Sequence, residues 1–261
     1  MSQTNMKIVG IIPARFASTR LVGKPLADIG GKPMIQHTYE NARKSKLMHD
    51  VIIAVDDSKI FDVVSSFGAK AVMTDKNFNS GSDRIAFVAT KIPEADIIVN
   101  IQGDEPFIDG RMIDEAIEPF LFDKSIKVST LVKKITDIKE LKSASVPKVV
   151  FDYNNYALYF SRSVIPHVRD AKSTMEMFHS TDFYKHIGLY VYKRETLLKF
   201  TRLKPTDLEL IEKLEQLRLL ENGIKIKVVE TEYESFSVDT PEDLKKARKY
   251  YEKYIKGKKK K

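Results

Sequence analysis

Apolar runs alternate with amphipathic segments along the first part of the chain. Short apolar runs predict four strands, at Lys7–Ile12, Val51–Val55, Ala71–Met73 and Ile97–Ile101. Apolar runs without polar interruption are typical of strands buried on both faces of a parallel sheet. Helices are predicted between the strands at Pro33–Lys44, Asp57–Phe67 and Ser82–Thr90. This order favours an α/β fold with a mostly parallel, doubly wound sheet and helices on both faces.

The second half of the chain is less regular, and its pattern predicts a smaller mixed sheet. Strands are predicted at Val128–Val132, Val146–Phe151, Tyr156–Phe160, Gly188–Tyr192 and Ile224–Val229. Thr206 and Glu209 have the spacing of a capping box, which predicts one long helix from Thr206 to Asn222. A further N-terminal cap at Thr240 predicts a helix that continues to Tyr254.

The domain organisation predicted from this pattern is simple. Ala171–Asp182 is polar with weak periodicity, so we expect a mobile loop there. No repeat and no linker divides the chain, and residues 1–254 are therefore expected to form a single α/β domain. Residues 255–261 are rich in lysine and are expected to form a disordered tail.

Composition narrows the possible functions of the 261-residue chain. It has no cysteine, which excludes disulfides, zinc–thiolate sites and thiol nucleophiles. No apolar run is long enough to span a bilayer and no signal peptide is visible, so we expect a cytoplasmic protein without a membrane partner. The net charge of +8 is concentrated in the C-terminal lysines. Judged by net charge, a protein that binds nucleic acid or a membrane surface remains an alternative. The positive charge outside the C-terminal lysines is modest, however, so no nucleic-acid partner is expected.

The loop after the first strand has the composition of a phosphate-binding segment. Arg15, Arg20 and Lys24 lie in one strand-to-helix connection together with hydroxyl side chains and a glycine. Guanidinium and ammonium groups with loop backbone N–H groups suit a triphosphate. The spacings of a P-loop and of a dinucleotide fingerprint are both absent. A solvated basic loop is an equally good interpretation of the composition.

Two acidic positions are candidates for a metal site. Asp104 ends a buried strand at the edge where parallel sheets bind ligands, and Asp239 stands just before a helix. Carboxylate and phosphate oxygens are the ligands that Mg²⁺ prefers. The alternatives are a turn or cap role for Asp104 and a turn role for Asp239.

The second half offers polar residues without a clear motif. His186 enters a strand, where a histidine is more often structural, although it could bind an anionic substrate. Arg162 ends an aromatic strand, a position that would suit the carboxylate of a sugar acid. Glu215 and Gln216 lie on the long predicted helix, where surface polarity is the alternative.

Eight segments taken together resemble one family. They are IIPARFASTRLVGKPL, GKPMI, SGSDRI, VNIQGDEP, YALYFSRSVIP, KHIGLY, IEKLEQLRLLENGIKIKV and VDTPEDL, and they extend from Lys7 to about Lys249. Their order and content are similar to those of the 3-deoxy-manno-octulosonate (Kdo) cytidylyltransferases, the CMP-Kdo synthetases of Gram-negative bacteria. The resemblance implies transfer of CMP from CTP to Kdo for lipopolysaccharide biosynthesis, with release of pyrophosphate. It also implies a GT-A-like nucleotidyltransferase fold, dependence on Mg²⁺ and a homodimer.

The resemblance also assigns roles to residues of this chain. Arg15, Lys24 and Asp104 would be catalytic, and Asp104 and Asp239 would hold the metal. CTP would be bound by Arg15, Ser18, Arg20, Lys24, Ser80, Gly81, Ser82, Asp83 and Arg84. The sugar acid would be bound by Gln102, Arg162, His186, Tyr190, Glu215 and Gln216.

Alternatives remain open within and outside this family. The same chemistry could act on 8-amino-3,8-dideoxy-manno-octulosonate, the difference facing Ala171–Asp182, or on another 2-keto sugar acid such as sialate. A relative that binds CTP without catalysis is a further alternative, against which Lys24, Asp104 and Asp239 argue.

Overall fold

The computed structural model describes residues 6–17, 21–78 and 80–256. Ser18 and Arg20, two of the predicted CTP-binding residues, and the tail residues 257–261 lie outside these ranges. The described strands are β1 (Ile8–Ala14), β2 (Asp28–Ile29), β3 (Lys32–Pro33), β4 (Asp50–Val55), β5 (Lys70–Met73), β6 (Ile97–Asn100), β7 (Val128–Lys134), β8 (Lys148–Phe151), β9 (Ala157–Ser161), β10 (Tyr184–Lys193) and β11 (Lys227–Glu230).

The described helices are α1 (Met34–Ala42), α2 (Ser58–Ser66), α3 (Gly81–Lys91), α4 (Gly110–Phe122), α5 (Ile138–Lys142), α6 (Thr174–Ser180), α7 (Arg194–Phe200), α8 (Asp207–Glu212), α9 (Leu217–Glu221) and α10 (Pro241–Tyr250). A short 3₁₀-helix covers Lys24–Leu26, and a π-helical turn at Tyr251–Ile255 follows α10. None of the described helices is long and apolar enough to cross a membrane.

The chain separates into two compact units, residues 1–114 with 233–261 and residues 115–232. The first unit contains four parallel strands in the order β6-β1-β4-β5. Strand β1 is central, and its register places Ile11 beside Ile52 and Asn100. Because these strands run in one direction, their carboxyl ends meet at one edge, where α/β sheets bind ligands. The prediction of a single domain over 1–254 stays a prediction.

Burial explains why the first unit follows the predicted pattern closely. Ile53, Ala54 and Val55 of β4 are fully buried, as a strand covered on both faces requires. The Asp57 side chain accepts a hydrogen bond from Lys59 N–H at 2.9 Å and begins α2. Gly68, with φ of 75°, lies just beyond the end of α2. The strands and helices predicted within residues 7–101 are confirmed to within about two residues at each end. The helix predicted from Thr240 to Tyr254 is α10, which ends at Tyr250 and is followed by the π-helical turn.

The second unit contains the mixed strand pairing that the sequence predicts. Strand β7 lies parallel to β11 and antiparallel to β10, while β8 pairs antiparallel with β10 and β9. The register between β10 and β7 shifts between Ile187 and Tyr190. Such an irregularity re-aims side chains locally, and it lies between two of the predicted sugar-binding residues, His186 and Tyr190.

Two predictions for the second unit are wrong. The long helix from Thr206 to Asn222 is broken into α8 and α9, because Lys213 adopts a left-handed conformation with φ of 54°. The segment Ala171–Asp182 is not all loop, since it contains the helix α6. The Ser173 hydroxyl begins this helix by accepting a hydrogen bond from Glu176 N–H.

Candidate active site

The centre of the candidate site in the first unit is an ammonium group held by two carboxylates. Lys24 Nζ lies 2.7 Å from Asp104 Oδ2 and 2.9 Å from Asp239 Oδ1. These three residues are far apart in sequence, and all three side chains are partly buried. The structure therefore brings together one predicted phosphate-binding residue and both predicted metal ligands.

Local backbone structure positions this cluster. Lys24 begins the 3₁₀-helix directly after Gly23, whose φ of 67° suits glycine. Val238 N–H donates to the Asp104 carbonyl oxygen at 2.9 Å, which holds the segment of Asp239 beside the end of β6. A side chain at position 103 would bring its Cβ to 2.5 Å from the Pro13 carbonyl oxygen. Gly103 thus permits the close approach of the two loops that follow β1 and β6.

The electrostatics of the cluster follow from burial and paired charge. Burial alone would lower the pKa of Lys24, but the two carboxylates more than offset this and the pKa is raised. Burial raises the pKa of Asp104, the ammonium of Lys24 opposes the shift, and the charge of Asp239 adds to it. Burial and the charge of Asp104 raise the pKa of the neighbouring Glu105 to about 7. The ammonium group therefore compensates carboxylates that are costly to bury alone.

The donor set at this position fits a magnesium ion. Among the described residues there is no group of three or more Asp, Glu or His side chains that could hold a metal. Mg²⁺, however, is commonly held by one or two carboxylates together with substrate phosphate oxygens. Asp104 and Asp239 supply two such carboxylates, and both lie within hydrogen-bond distance of the Lys24 ammonium group. A substrate phosphate would complete the coordination.

A pocket of about 590 Å³ surrounds this cluster within the first unit. Arg15, Ser80, Gly81 and Gln102 line the pocket together with the cluster. Ser80 and Asp83 form a capping box, in which Ser80 Oγ accepts from Asp83 N–H and Asp83 Oδ2 accepts from Ser80 N–H, each at 3.1 Å. The positive end of α3 is thus part of the wall, as an anion site requires.

The remaining predicted CTP-binding residues of α3 have internal contacts. Asp83 is used in the capping box, and Ser82 is buried. Arg84 is fully buried and its Nη2 lies 3.1 Å from Asp56 Oδ2. Gln102, predicted as a sugar ligand, donates to Asn100 Oδ1 at 3.3 Å. Direct contact of these side chains with a substrate stays a prediction.

In the second unit, His186 and Tyr190 lie on β10 with their rings 5.2 Å apart. His186 also contacts the ring of Phe160, and its Nε2 lies 3.0 Å from Thr130 Oγ1. Burial lowers the pKa of His186 to about 3. The imidazole is therefore neutral at physiological pH. Any contact it makes with an anionic substrate would be a neutral hydrogen bond and not an ion pair.

In the second unit, the buried hydroxyl of Tyr190 and the buried Nε2 of Gln216 have no hydrogen-bond partner among the described residues. Both residues are more than nine-tenths buried, and the charge of Glu215 acts on Tyr190. Buried polar atoms without partners are rare in native proteins and call for an explanation, such as a polar ligand. Tyr190, Glu215 and Gln216 are all among the predicted sugar-binding residues.

Arg162 is placed differently from the other predicted sugar-binding residues. Its guanidinium donates to three backbone carbonyl oxygens, of Glu212 at 2.7 Å, Ala144 at 2.9 Å and Lys213 at 3.3 Å. The sequence predicts a carboxylate ligand at this position. In the structure each nitrogen of the guanidinium already has a protein partner.

Comparison with known proteins decides the family. A sequence model described as cytidylyltransferase matches residues 9–226. The chain belongs to the cytidylyltransferase family. It is 54% identical over 245 residues to the 3-deoxy-manno-octulosonate cytidylyltransferase of Geotalea uraniireducens, covering 92% of this chain and 97% of the relative. It is 49% identical over 253 residues to the enzyme of that name from Chloroherpeton thalassium, covering 96% of this chain and 100% of the relative.

A solved structure agrees with this membership. The structure of CMP:2-keto-3-deoxy-manno-octonic acid synthetase complexed with CTP matches with a TM-score of 0.89 at 41% identity. The match covers 95% of this chain and 100% of that chain. The predicted family resemblance and nucleotidyltransferase fold are confirmed, and the chain is a cytidylyltransferase enzyme with a mostly parallel α/β sheet.

Sequence reasoning missed one residue of this cytidylyltransferase site. Asp56 follows β4 at the ligand-facing edge, and its Oδ1 accepts a hydrogen bond from Phe16 N–H at 2.9 Å while its Oδ2 pairs with Arg84. Burial lowers the pKa of Arg84, Asp56 opposes this, and the charge of Arg15 adds to the lowering. Asp56 thus supports the loop that carries Arg15. Its place directly after a buried strand was the available signal.

The buried, neutral state of His186 predicts a pH effect on stability. Below about pH 6.5 the unfolded chain binds a proton on this residue. The folded protein does not bind it until about pH 3. The free energy of unfolding is therefore expected to fall by about 2 kcal/mol between pH 6.5 and 5 on account of His186. His186→Gln should remove this part of the pH dependence.

Urea unfolding at pH 7 and pH 5 measures the effect of His186→Gln. His179→Gln, an exposed substitution on α6, controls for the loss of one histidine. An unchanged pH dependence in His186→Gln would contradict the buried, neutral assignment.

Proposed function

We propose that this chain transfers CMP from CTP to the anomeric 2-hydroxyl of Kdo and releases pyrophosphate. The observation that carries the proposal is the convergence of Lys24, Asp104 and Asp239 beside the N-terminus of α3. Such a cluster can bind a triphosphate and a divalent cation at one place. The family membership and the relatives named for this reaction support CTP and Kdo as the substrates.

The reaction needs positioning and charge neutralisation more than covalent chemistry by the protein. The 2-hydroxyl oxygen of Kdo bonds to the α-phosphorus, the bond from that phosphorus to the bridging oxygen breaks, and pyrophosphate leaves. Arg15 and Lys24 neutralise the negative charge of the phosphate oxygens. The N-terminal end of α3, at Gly81, faces the triphosphate and adds its positive dipole to these charges.

Asp104 and Asp239 would hold the magnesium ion in this reaction. When bound, Mg²⁺ neutralises phosphate charge and favours loss of the proton from the attacking hydroxyl. Before the ion binds, the ammonium group of Lys24 holds both carboxylates in place through its two ion pairs. When a triphosphate is bound, the same ammonium is free to turn toward it.

The residues of the second unit would recognise the sugar acid. Tyr190 and Gln216 provide a hydroxyl group and an Nε2 amide donor that have no hydrogen-bond partner among the described residues, and such groups suit the hydroxyls of a sugar. His186 contributes a neutral hydrogen-bonding nitrogen. We expect the enzyme to be a cytoplasmic homodimer that supplies CMP-Kdo for lipopolysaccharide biosynthesis.

Pyrophosphate release tests the proposed function. We would measure it with CTP and Mg²⁺, comparing Kdo, 8-amino-Kdo and N-acetylneuraminate, with EDTA as the metal control. Release with Kdo that stops in EDTA is the expected result. Preference for the amino sugar or for sialate would keep the chemistry and overturn the substrate. No release with any sugar acid would overturn the function.

Tyr190→Phe is expected to have opposite effects on stability and on sugar binding. The hydroxyl is buried without a partner, so its removal should raise the free energy of unfolding by about 1 kcal/mol. The same change removes a hydrogen bond to the sugar and should raise the KM for Kdo about fivefold. Urea unfolding and steady-state kinetics measure the two effects, with Tyr156→Phe as control. A loss of stability, or an unchanged KM, would contradict the role.

A further inference from the structure

The break between α8 and α9 is held by hydrogen bonds within the protein itself. Arg218 Nε donates to Glu209 Oε2 at 2.7 Å and so joins the two helices across Lys213. Lys213 itself has positive φ, which is unfavourable for a residue with a side chain. A strained conformation of this kind persists only where surrounding contacts enforce it. The contacts at this position come from the end of β9.

Arg162 and Glu212 interlock through both side chain and backbone. The Glu212 carboxylate accepts hydrogen bonds from Ser161 Oγ at 2.6 Å and from Arg162 N–H at 2.9 Å. In return, the Arg162 guanidinium donates to the carbonyl oxygens of Glu212 at 2.7 Å and Lys213 at 3.3 Å. We refer to this set of four contacts as the Arg162–Glu212 interlock. It satisfies carbonyl groups that the end of α8 leaves without helical partners.

The interlock is itself anchored from behind. Lys148, which is fully buried, donates from Nζ to the carbonyl oxygens of Arg162 at 2.6 Å, Val146 at 2.8 Å and Ser143 at 2.9 Å. Arg162 therefore has its backbone N–H, its carbonyl oxygen and its guanidinium all bound by protein groups. A residue whose hydrogen-bonding groups all have protein partners is typically one that fixes the backbone around it.

The direction of the chain after Lys213 decides where Glu215 and Gln216 lie. In one continuous helix Gln216 would be four residues after Glu212 and would share its face. The break at Lys213 removes this relation and makes Gln216 the N-cap of α9. The buried Nε2 of Gln216 has no hydrogen-bond partner among the described residues. The position of both polar side chains thus depends on the conformation of Lys213.

We propose that Arg162 and Glu212 are positioning residues, which hold the break at Lys213 and thereby place Glu215 and Gln216 for the sugar acid. This inference rests on the proposed function, because it takes Glu215 and Gln216, the residues that the interlock positions, to be sugar-binding residues. It differs from the role that the sequence predicts for Arg162, since the guanidinium acts through backbone carbonyl groups and not on the substrate carboxylate.

The experiment compares Glu212→Ala, Glu212→Gln, Arg162→Ala and the double variant Arg162→Ala/Glu212→Ala. Glu221→Gln is the matched control, because its carboxylate lies at the end of α9, is exposed and accepts a single backbone hydrogen bond, from Leu208 N–H. The KM values for Kdo and for CTP are measured for each variant. Hydrogen–deuterium exchange of residues 213–217 is measured without substrate, and a melting temperature shows that each variant folds.

Glu212→Ala and Arg162→Ala should each raise the KM for Kdo about tenfold or more, as small misplacement of binding groups does. The KM for CTP should stay within about twofold, and Glu212→Gln, which keeps one acceptor oxygen, should have a smaller effect. The double variant should be no worse than either single variant, because both changes remove one interlock. Exchange at 213–217 should rise in the alanine variants and not in Glu221→Gln.

Three results would overturn the inference. A normal KM for Kdo in Glu212→Ala would show that the interlock does not place the sugar-binding residues. Multiplied effects in the double variant would assign Arg162 a direct contact with the substrate. Equal increases in both KM values would indicate a general structural role, and Glu212→Gln provides the same comparison if the alanine variants do not fold.

The exchange measurement separates this inference from the proposed function. If the unaltered enzyme releases no pyrophosphate with Kdo, the proposed function fails. The claim that the interlock positions residues for a sugar acid is then overturned as well. Increased exchange at 213–217 in Glu212→Ala would still support the interlock as the device that holds the break.

Discussion

Asp104→Asn is expected to reduce kcat by about 10²- to 10³-fold with CTP and Kdo both saturating. Asp104 is one of only two carboxylates that reach the Lys24 ammonium in the described site. Asparagine keeps the shape of the side chain but removes its charge, so it weakens Mg²⁺ binding at the place where the phosphates must be neutralised. The reaction then lacks a large part of its charge compensation.

The fold should survive Asp104→Asn. The backbone hydrogen bond from Val238 N–H to the carbonyl oxygen at position 104 does not involve the side chain. Pyrophosphate release measured across a range of Mg²⁺ concentrations tests the prediction, with Asp62→Asn, an exposed position on α2, as the matched control. Near-normal turnover at saturating Mg²⁺ would remove Asp104 as a metal ligand.

Lys24→Met should almost abolish turnover and should also change how the free protein responds to magnesium. The variant leaves Asp104 and Asp239 facing each other without the ammonium that now lies between them. Removing the ammonium group from its ion pairs with these partly buried carboxylates should lower the free energy of unfolding by about 1–3 kcal/mol at pH 7. Because Mg²⁺ can replace the missing positive charge, it should stabilise the variant more than the unaltered protein.

Thermal unfolding with and without Mg²⁺, in the absence of nucleotide, measures this difference. Lys59→Met, an exposed substitution on α2, is the control for loss of one surface lysine. Equal stabilisation of Lys24→Met and the unaltered protein by Mg²⁺ would contradict a metal site at the two carboxylates. Turnover close to normal would remove Lys24 from the phosphate-binding residues.

The parallel strands of the first unit are predictable because their burial is encoded locally. A run such as Val51–Val55 has no polar position and can be stable only where both faces of a strand are covered. The position of Asp104 at the end of such a run is equally local information. The family resemblance assigned Lys24, Asp104 and Asp239 to one active site, but only the structure shows the ion pairs between them, since their separation along the chain carries no signal of contact.

The two errors in the second unit have different physical causes. Thr206–Asn222 has the composition and cap of one helix, and local propensity favours its continuation. The Arg162–Glu212 interlock overrides that preference with contacts from β9, which periodicity does not register. The prediction of a loop at Ala171–Asp182 was wrong because the helix there has only seven residues. So few turns do not show a clear hydrophobic period in the sequence.

Local patterning was sufficient for the parallel strands and the helices between them in the first unit, for the exclusion of thiol chemistry and, through eight motifs in series, for the family. Apolar runs, caps and glycines act over a few residues and can be recognised without the fold. Tertiary structure alone decided that His186 is neutral, that Arg162 is bound by carbonyl groups and that Asp56 supports the loop of Arg15. These properties depend on burial and on partners distant in sequence, which exist only after the chain has folded.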